Sequence, residues 1–146
     1  MATLYKFDQF SEDLATAVHD FATDTIIAAL YPAASPPSAA YELLASWTTQ
    51  IAYTNVSTSP NAGRSFGTPT TVAQTSGVMT LDYADMTITA ITGSAPAFRY
   101  IGLYNSTTSV KTNPLIGWAD YGSDLTLTLG QTLLIKLDTS GLFTIT

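Results

Sequence analysis

A chain of 146 residues with no cysteine and one histidine, His19, is long enough to bury a real core as one domain, residues 1–146. That composition removes disulfides, thiolate nucleophiles, sulfur-ligated metals and multi-histidine metal sites together. Charged residues make up only 11% of the chain, less than half the usual quarter, and its five cations, Lys6, Arg64, Arg99, Lys111 and Lys136, are scattered singly against a formal net charge of -6. Phosphate backbones are bound by clustered Lys and Arg, so no nucleic-acid partner is expected.

The first residues lack a basic stretch followed by an apolar segment, and no apolar run approaches the ~18–20 residues of a membrane span. The expectation is a soluble protein made in a cytoplasm, with no membrane partner. A surface so poor in charge must be covered largely by Thr, Ser, Ala and amide groups, and neutral surfaces associate more readily than charged ones.

In chain order, residues 3–7 alternate and predict a short strand. Over 8–21 the period changes: Phe10, Leu14, Val18 and Phe21 recur at steps of three or four, the stripe of an amphipathic helix that must dock inward. Asp8 or Ser11 can cap it, with Glu12 and Asp13 near its positive end. Residues 24–31 read as a strand ended by Pro32. The loop 33–40 follows, where Pro36 and Pro37 exclude regular structure, and 41–47 has the composition of one or two helical turns. Residues 55–69 hold too many turn formers to be a strand throughout; as the longest irregular stretch they are the candidate functional loop.

Short strands are predicted over 70–74, 78–83 and 86–91. Residues 98–104 form an aromatic strand with Phe98, Tyr100, Gly102 and Tyr104 on one face and Arg99, Ile101 and Leu103 on the other. Another strand-rich stretch covers 114–122. Leu125, Leu127 and Leu129 alternate, as do Leu133, Ile135 and Leu137, and Gly130-Gln131 between them predicts a tight hairpin. The segment 138–141 turns into a terminal strand, 142–145, as a second hairpin. About seven to ten short strands at this spacing predict a mainly β protein, an antiparallel β-sandwich of jelly-roll or immunoglobulin-like type with one short N-terminal helix.

Candidate chemistry is sparse. His19 with Asp20 and Asp24 is the nearest approach to a catalytic grouping, but neighbours on a helix point in different directions, and a lone His there reads as a packing or dipole-compensating residue. Asp82, Asp85, Asp120 and Asp124 lack calcium-loop spacing. The glycines Gly63 and Gly67 are not followed by the Lys and Ser or Thr of a phosphate loop, and no Gly-x-Ser-x-Gly elbow is present. No catalytic residue, cofactor or metal is expected. The aromatics Phe98, Tyr100, Tyr104, Trp118 and Tyr121 read as core in preference to a ligand platform.

Several segments together carry a resemblance that covers nearly the whole chain. They are the opening Ala2-Thr3-Leu4-Tyr5-Lys6-Phe7, Thr23-Asp24-Thr25, Ala73-Gln74-Thr75-Ser76-Gly77, Phe98-Arg99-Tyr100 through Tyr104-Asn105, Pro114-Leu115-Ile116-Gly117 and Asp120-Tyr121-Gly122. In them the chain resembles small virion structural proteins of tailed bacteriophages, and among these the head-decoration or cement proteins. Such members carry more glycine where this chain has Pro36-Pro37 in an Ala/Ser loop. The resemblance implies a non-enzymatic module on the virion head surface, bound to the major capsid protein and acting as a homo-oligomer, with a trimer suited to local three-fold points. The alternative is a tail-associated or tail-fibre module binding a host-surface glycan or another tail protein, which an exposed row of Trp118, Tyr121 and Tyr104 beside a groove would mark. Partner contacts are expected from the loops 33–40, with Pro36 and Pro37, and 55–69, with Arg64 and Phe66 as anchors because Arg and aromatics are enriched at interface hot spots.

Overall fold

The computed structural model describes residues 3–57, 63–67, 69–108, 110–136 and 143–145. Among these lie ten strands: β1 (Leu4–Lys6), β2 (Ile26–Tyr31), β3 (Ser65–Gly67), β4 (Thr71–Thr75), β5 (Val78–Asp82), β6 (Met86–Thr89), β7 (Phe98–Asn105), β8 (Leu115–Leu125), β9 (Thr132–Ile135) and β10 (Phe143–Ile145). One helix, α1 (Phe10–Ala15), follows β1, and a single 3-10 turn covers Leu44–Ser46. The strands make a five-stranded sheet in the order β1-β8-β7-β2-β3, a three-stranded sheet β10-β5-β4 and a pair β6-β9. Every pairing is antiparallel. The mainly β, antiparallel character and the short helix near the N-terminus agree with the sequence reading. No helix among the described residues is long and apolar enough to cross a membrane.

The interior strand β2 explains how the large sheet is buried. Its sequence, Ile-Ile-Ala-Ala-Leu-Tyr, is apolar at every position, the pattern of a strand covered on both faces. Ile26, Ala28 and Leu30 enter the larger core with Leu103, Phe98 and Ile116, where they meet Leu81 of β5 and Met86 and Ile88 of β6. Ile27, Ala29 and Tyr31 enter a second core with Tyr100, Tyr104, Leu115, Phe7 and Trp47. The strictly alternating faces expected for β7 therefore need a correction: Phe98 and Tyr100 lie in different cores. Between them the ladder slips, Phe98 facing Leu125 and Tyr100 facing Asp120, so the intervening residues of β8 bulge out and the pleat changes sides.

The second core is closed by irregular chain. Trp47 is 1% exposed, stacked on Tyr31 with ring centroids 3.7 Å apart. Its Nε1 donates to the Ser35 carbonyl at 3.1 Å, and Ser35 Oγ donates to the Thr48 carbonyl at 3.0 Å, which ties the proline-containing loop down. Room for the ring is made by Gly102, where a Cβ would fall 2.6 Å from Trp47 Cζ3.

Helix α1 is shorter than the predicted 8–21 and is not capped by Asp8 or Ser11; Gln9 occupies the N-cap without a side-chain bond to the helix backbone. The reason for its early end is local. Ala17 takes a left-handed φ of 57°, its N–H bonds the Leu14 carbonyl at 3.3 Å, and the Val18 N–H bonds the Asp13 carbonyl at 2.9 Å. That pair of bonds is a Schellman termination built on alanine. Phe10, Val18 and Phe21 are nonetheless buried and Leu14 packs against the larger core, so the apolar stripe docks inward although its second half is not helical.

Both predicted C-terminal hairpins are corrected. β9 pairs with β6, Ile88 opposite Leu133, and not with residues 125–129. The 3-residue β10 pairs with β5, Thr144 opposite Thr80, and not with β9. In place of a ladder, the segment after β8 makes single bonds outward: Ala95 N–H to the Leu127 carbonyl at 2.8 Å, and a reciprocal pair joining Ala90 to Gly130 and Gln131. Leu127 is buried while Leu129 is exposed, so the alternating leucines do not share a face. Leu137 and the turn 138–141 lie outside the described residues.

Candidate functional site

Of the four expected contact residues, two are interior. Arg64 is 8% exposed and Phe66 5% exposed. Arg64 Nη1 donates to the Ala28 carbonyl, the Ala28 N–H returns a bond to the Arg64 carbonyl at 2.8 Å, and the guanidinium carbon lies 3.6 Å above the ring of Tyr53. The Tyr53 hydroxyl accepts from the Leu30 N–H at 2.9 Å and donates to Gln50 at 3.0 Å. Phe66 packs edge-on against Tyr83 at 6.3 Å. Arg64 thus serves as a buried strut between β2 and the Tyr53 segment, and the expectation that Arg64 and Phe66 anchor a partner is corrected by their burial. Pro36 is exposed and Pro37 half-buried, so the proline loop keeps outward surface. Residues 58–62 and 68 of the expected functional loop lie outside the described residues.

The aromatic row is split. Tyr104 is buried in the second core, Tyr121 is 50% exposed, and Trp118 is half-buried beneath Tyr5, directly opposite it across the β1–β8 ladder with ring centroids 4.5 Å apart. Near it, Arg99 holds Asp120 with two bonds of 2.8 Å, and that pairing lowers the Asp120 carboxyl to about 2. Asp120 also accepts from the Gly122 N–H at 2.7 Å, so this carboxylate, weighed earlier as a cation ligand, fixes the bulge.

Sequence reasoning missed a buried polar cluster that the β2–β7 register assembles by setting Ile26 opposite Asn105. Asn105 is fully buried; its Nδ2 donates to Asp24 Oδ2 and lies 3.1 Å from His19 Nδ1, and its Oδ1 accepts from the Thr107 N–H at 3.0 Å. Thr107 Oγ1 donates to Asp24 Oδ1 at 3.0 Å, and Asp24 Oδ2 also accepts from the Asp20 N–H at 2.7 Å. Because an amide NH₂ faces His19 Nδ1, that nitrogen accepts and the ring proton sits on Nε2. Burial lowers the His19 pKa, opposed by the nearby carboxylates of Asp13 and Asp24 and reinforced by Lys111. Asp13, in the first turn of α1, is itself fully buried and bonded to Lys111 Nζ at 2.5 Å. The arrangement is a polar lock joining the end of α1, the start of β2 and the end of β7. Its one sequence signal is a run of polar residues, Asn105-Ser106-Thr107, ending an otherwise apolar strand.

Two features face outward. A cleft of about 340 Å³ beside the 3-10 turn is lined by Leu43, Leu44, Thr48, Thr49, Gln50 and Asn113, among others. Thr49 and Asn113 hold left-handed φ values of 73° and 50°, a strain for the β-branched Thr49 and an ordinary conformation for Asn113. Trp47 belongs to this wall but spends its ring face on Tyr31, so the cleft presents hydroxyls, amides and aliphatic groups without an open aromatic face.

The second feature is the β4–β5 hairpin. Ser76 and Gly77, with φ of 53° and 86°, form a two-residue turn of the primed kind that suits strand twist. All five residues of β4 are exposed on both faces. From 65 to 81 the chain carries no charged side chain. Comparison of the chain with protein-family models, curated proteins and solved structures returned no match.

Proposed function

We propose that this chain is a non-enzymatic structural protein of a tailed-phage virion, a decoration or cement module that sits on the assembled head and binds the major capsid protein. The observation that carries this reading is strand β4, uncharged and exposed at all five residues, in a hairpin whose second strand is tied to the larger core through Leu81. Contact surface of this kind costs little to desolvate, since no ion has to be stripped of water. The Ala73-Gln74-Thr75-Ser76-Gly77 segment that contributes to the family resemblance is this same hairpin.

The residues with the strongest chemical potential support the non-enzymatic part: His19, Asp24, Asn105, Arg64 and Asp120 all engage structural partners. In this reading the three- and two-stranded sheets, lying across the larger core from the five-stranded sheet, are the second layer of the sandwich. The exposed proline loop supplies a further contact.

The test is occupancy. Phage particles assembled without this protein are mixed with the purified chain, and bound copies are counted by quantitative mass spectrometry. The reading expects saturable binding to heads and reduced occupancy when Pro36 and Pro37 are both replaced by Ser. Binding to isolated tails and not to heads would favour the tail module instead, with its neutral ligand in the cleft beside Thr49 and Asn113.

A further inference from the structure

We propose that β4 is a self-pairing edge, through which two copies of this chain join β4 to β4 antiparallel about a two-fold axis at Ala73. Among the described residues β4 pairs on one side only, with β5, in an uninterrupted register from Thr71–Asp82 to Thr75–Val78. Proteins guard such edges with charge, proline, bulges or very short strands. Of the other edges, β1, β3 and β10 are three residues long, β1 also carries Lys6, β9 runs directly into Lys136, and the four-residue β6 has its Thr89 carbonyl taken by the Ser57 N–H at 2.8 Å. β4 has five residues, no charge, no proline and no bulge.

The hydrogen-bond phase of the strand fits this partner. In a two-residue hairpin the flanking pair, Thr75 and Val78, is the hydrogen-bonded one, so alternation turns the N–H and C=O of Thr75, Ala73 and Thr71 toward β5. Those of Val72 and Gln74 point to the open edge. A second β4 laid antiparallel about Ala73 places Val72 opposite Gln74 of the other copy, twice, which engages all of these outward groups. The remaining pairs, Thr71 with Thr75 and Ala73 with Ala73, are small and compatible.

The self-complementary phase of this edge argues for a second copy as the occupant, and local charge does not oppose it. Two molecules of net charge -6 repel over most approaches, but a contact within residues 65–81 sets no like charges against each other. An isologous contact of this kind closes at two copies, and so stands in place of the trimer expected from the sequence. It rests on the virion reading only for its setting.

Because the chain contains no cysteine, a single engineered one reports the pairing. At the two-fold, Ala73 and its copy form a non-hydrogen-bonded pair with Cα atoms about 4.5 Å apart, within disulfide range. Ala73→Cys in the full chain should therefore form a covalent dimer under mild oxidation. Thr75→Cys, exposed on the same strand face, lies roughly 13 Å from its own copy in this register and should remain monomeric. In sedimentation, Gln74→Pro, which deletes an outward N–H and leaves the β4–β5 ladder intact, should weaken the reversible dimer about tenfold or more. Equal crosslinking at 73 and 75, a trimeric species, or a dimer indifferent to Gln74→Pro overturns the pairing. Head binding that persists through any of these outcomes leaves the virion reading standing, whereas a crosslinked dimer with no affinity for particles removes that reading alone.

Discussion

Asn105 shows how far one buried side chain can fix a fold. Its amide is oriented by a carboxylate on one side and a backbone N–H on the other, and the same orientation sets the His19 tautomer. Asn105→Ala would take a donor from the buried Asp24 carboxylate and from the buried His19 Nδ1. We expect a loss of about 3 kcal/mol in urea-denaturation stability. His19 itself makes stability depend on pH. Its folded pKa lies below the unfolded value near 6.5, so the unfolded chain binds more protons there. Its contribution is whole above pH ~6.5 and declines as the pH falls toward the depressed folded value. The urea midpoint should drop between pH 7.5 and pH 5.5, and His19→Gln should flatten that drop. A midpoint equally pH-dependent in wild type and His19→Gln would show that other groups govern it.

At the scale of elements, two positions hold conformations their residues do not favour or tolerate no alternative. Ala17 ends α1 in a left-handed conformation that costs an L-residue about 1–2 kcal/mol and glycine almost nothing. Ala17→Gly should raise stability by about 0.5–1 kcal/mol in thermal or urea unfolding. Gly102→Ala should do the reverse: the added methyl meets the Trp47 ring, the ring is already stacked on Tyr31, and overpacking of this sort costs about 1–3 kcal/mol. Reduced protection of the proline loop in hydrogen exchange should accompany that loss, since the same indole bonds Ser35.

Ala17 also marks a limit of what the sequence made legible. β2 and β7 were readable because burial on both faces leaves an apolar run that few other elements produce. The inward stripe of Phe10, Leu14, Val18 and Phe21 was readable too, but the helix end was not, because an alanine in the left-handed region leaves no compositional mark. The two C-terminal hairpins failed for a related reason: alternation and a turn-forming glycine indicate strands, while pairing is decided by which strand completes the core, and β5 and β6 compete for those partners. The polar lock depends on register between residues roughly 80 positions apart, as the Asn105–Asp24 bond shows, and register is invisible in one sequence. Arg64 misled because a cation beside an aromatic looks the same whether it faces a partner or braces the interior.

Viewed as a whole molecule, the chain pairs two of its cations with carboxylates, Arg99 with Asp120 and Lys111 with Asp13, and carries no charged side chain from 65 to 81, a stretch that includes all of the exposed strand β4. A fold arranged in this way is suited to repeated contact. The central claim is that such contact is made on a phage head, and cryo-electron microscopy of intact particles encoding this chain tests it most directly. The account predicts density matching the five-stranded sheet at regularly repeated positions on the outer shell, with the β4–β5 hairpin or the Pro36–Pro37 loop at a contact. Particles whose shell lacks that density, or which carry the chain only on the tail, would contradict it.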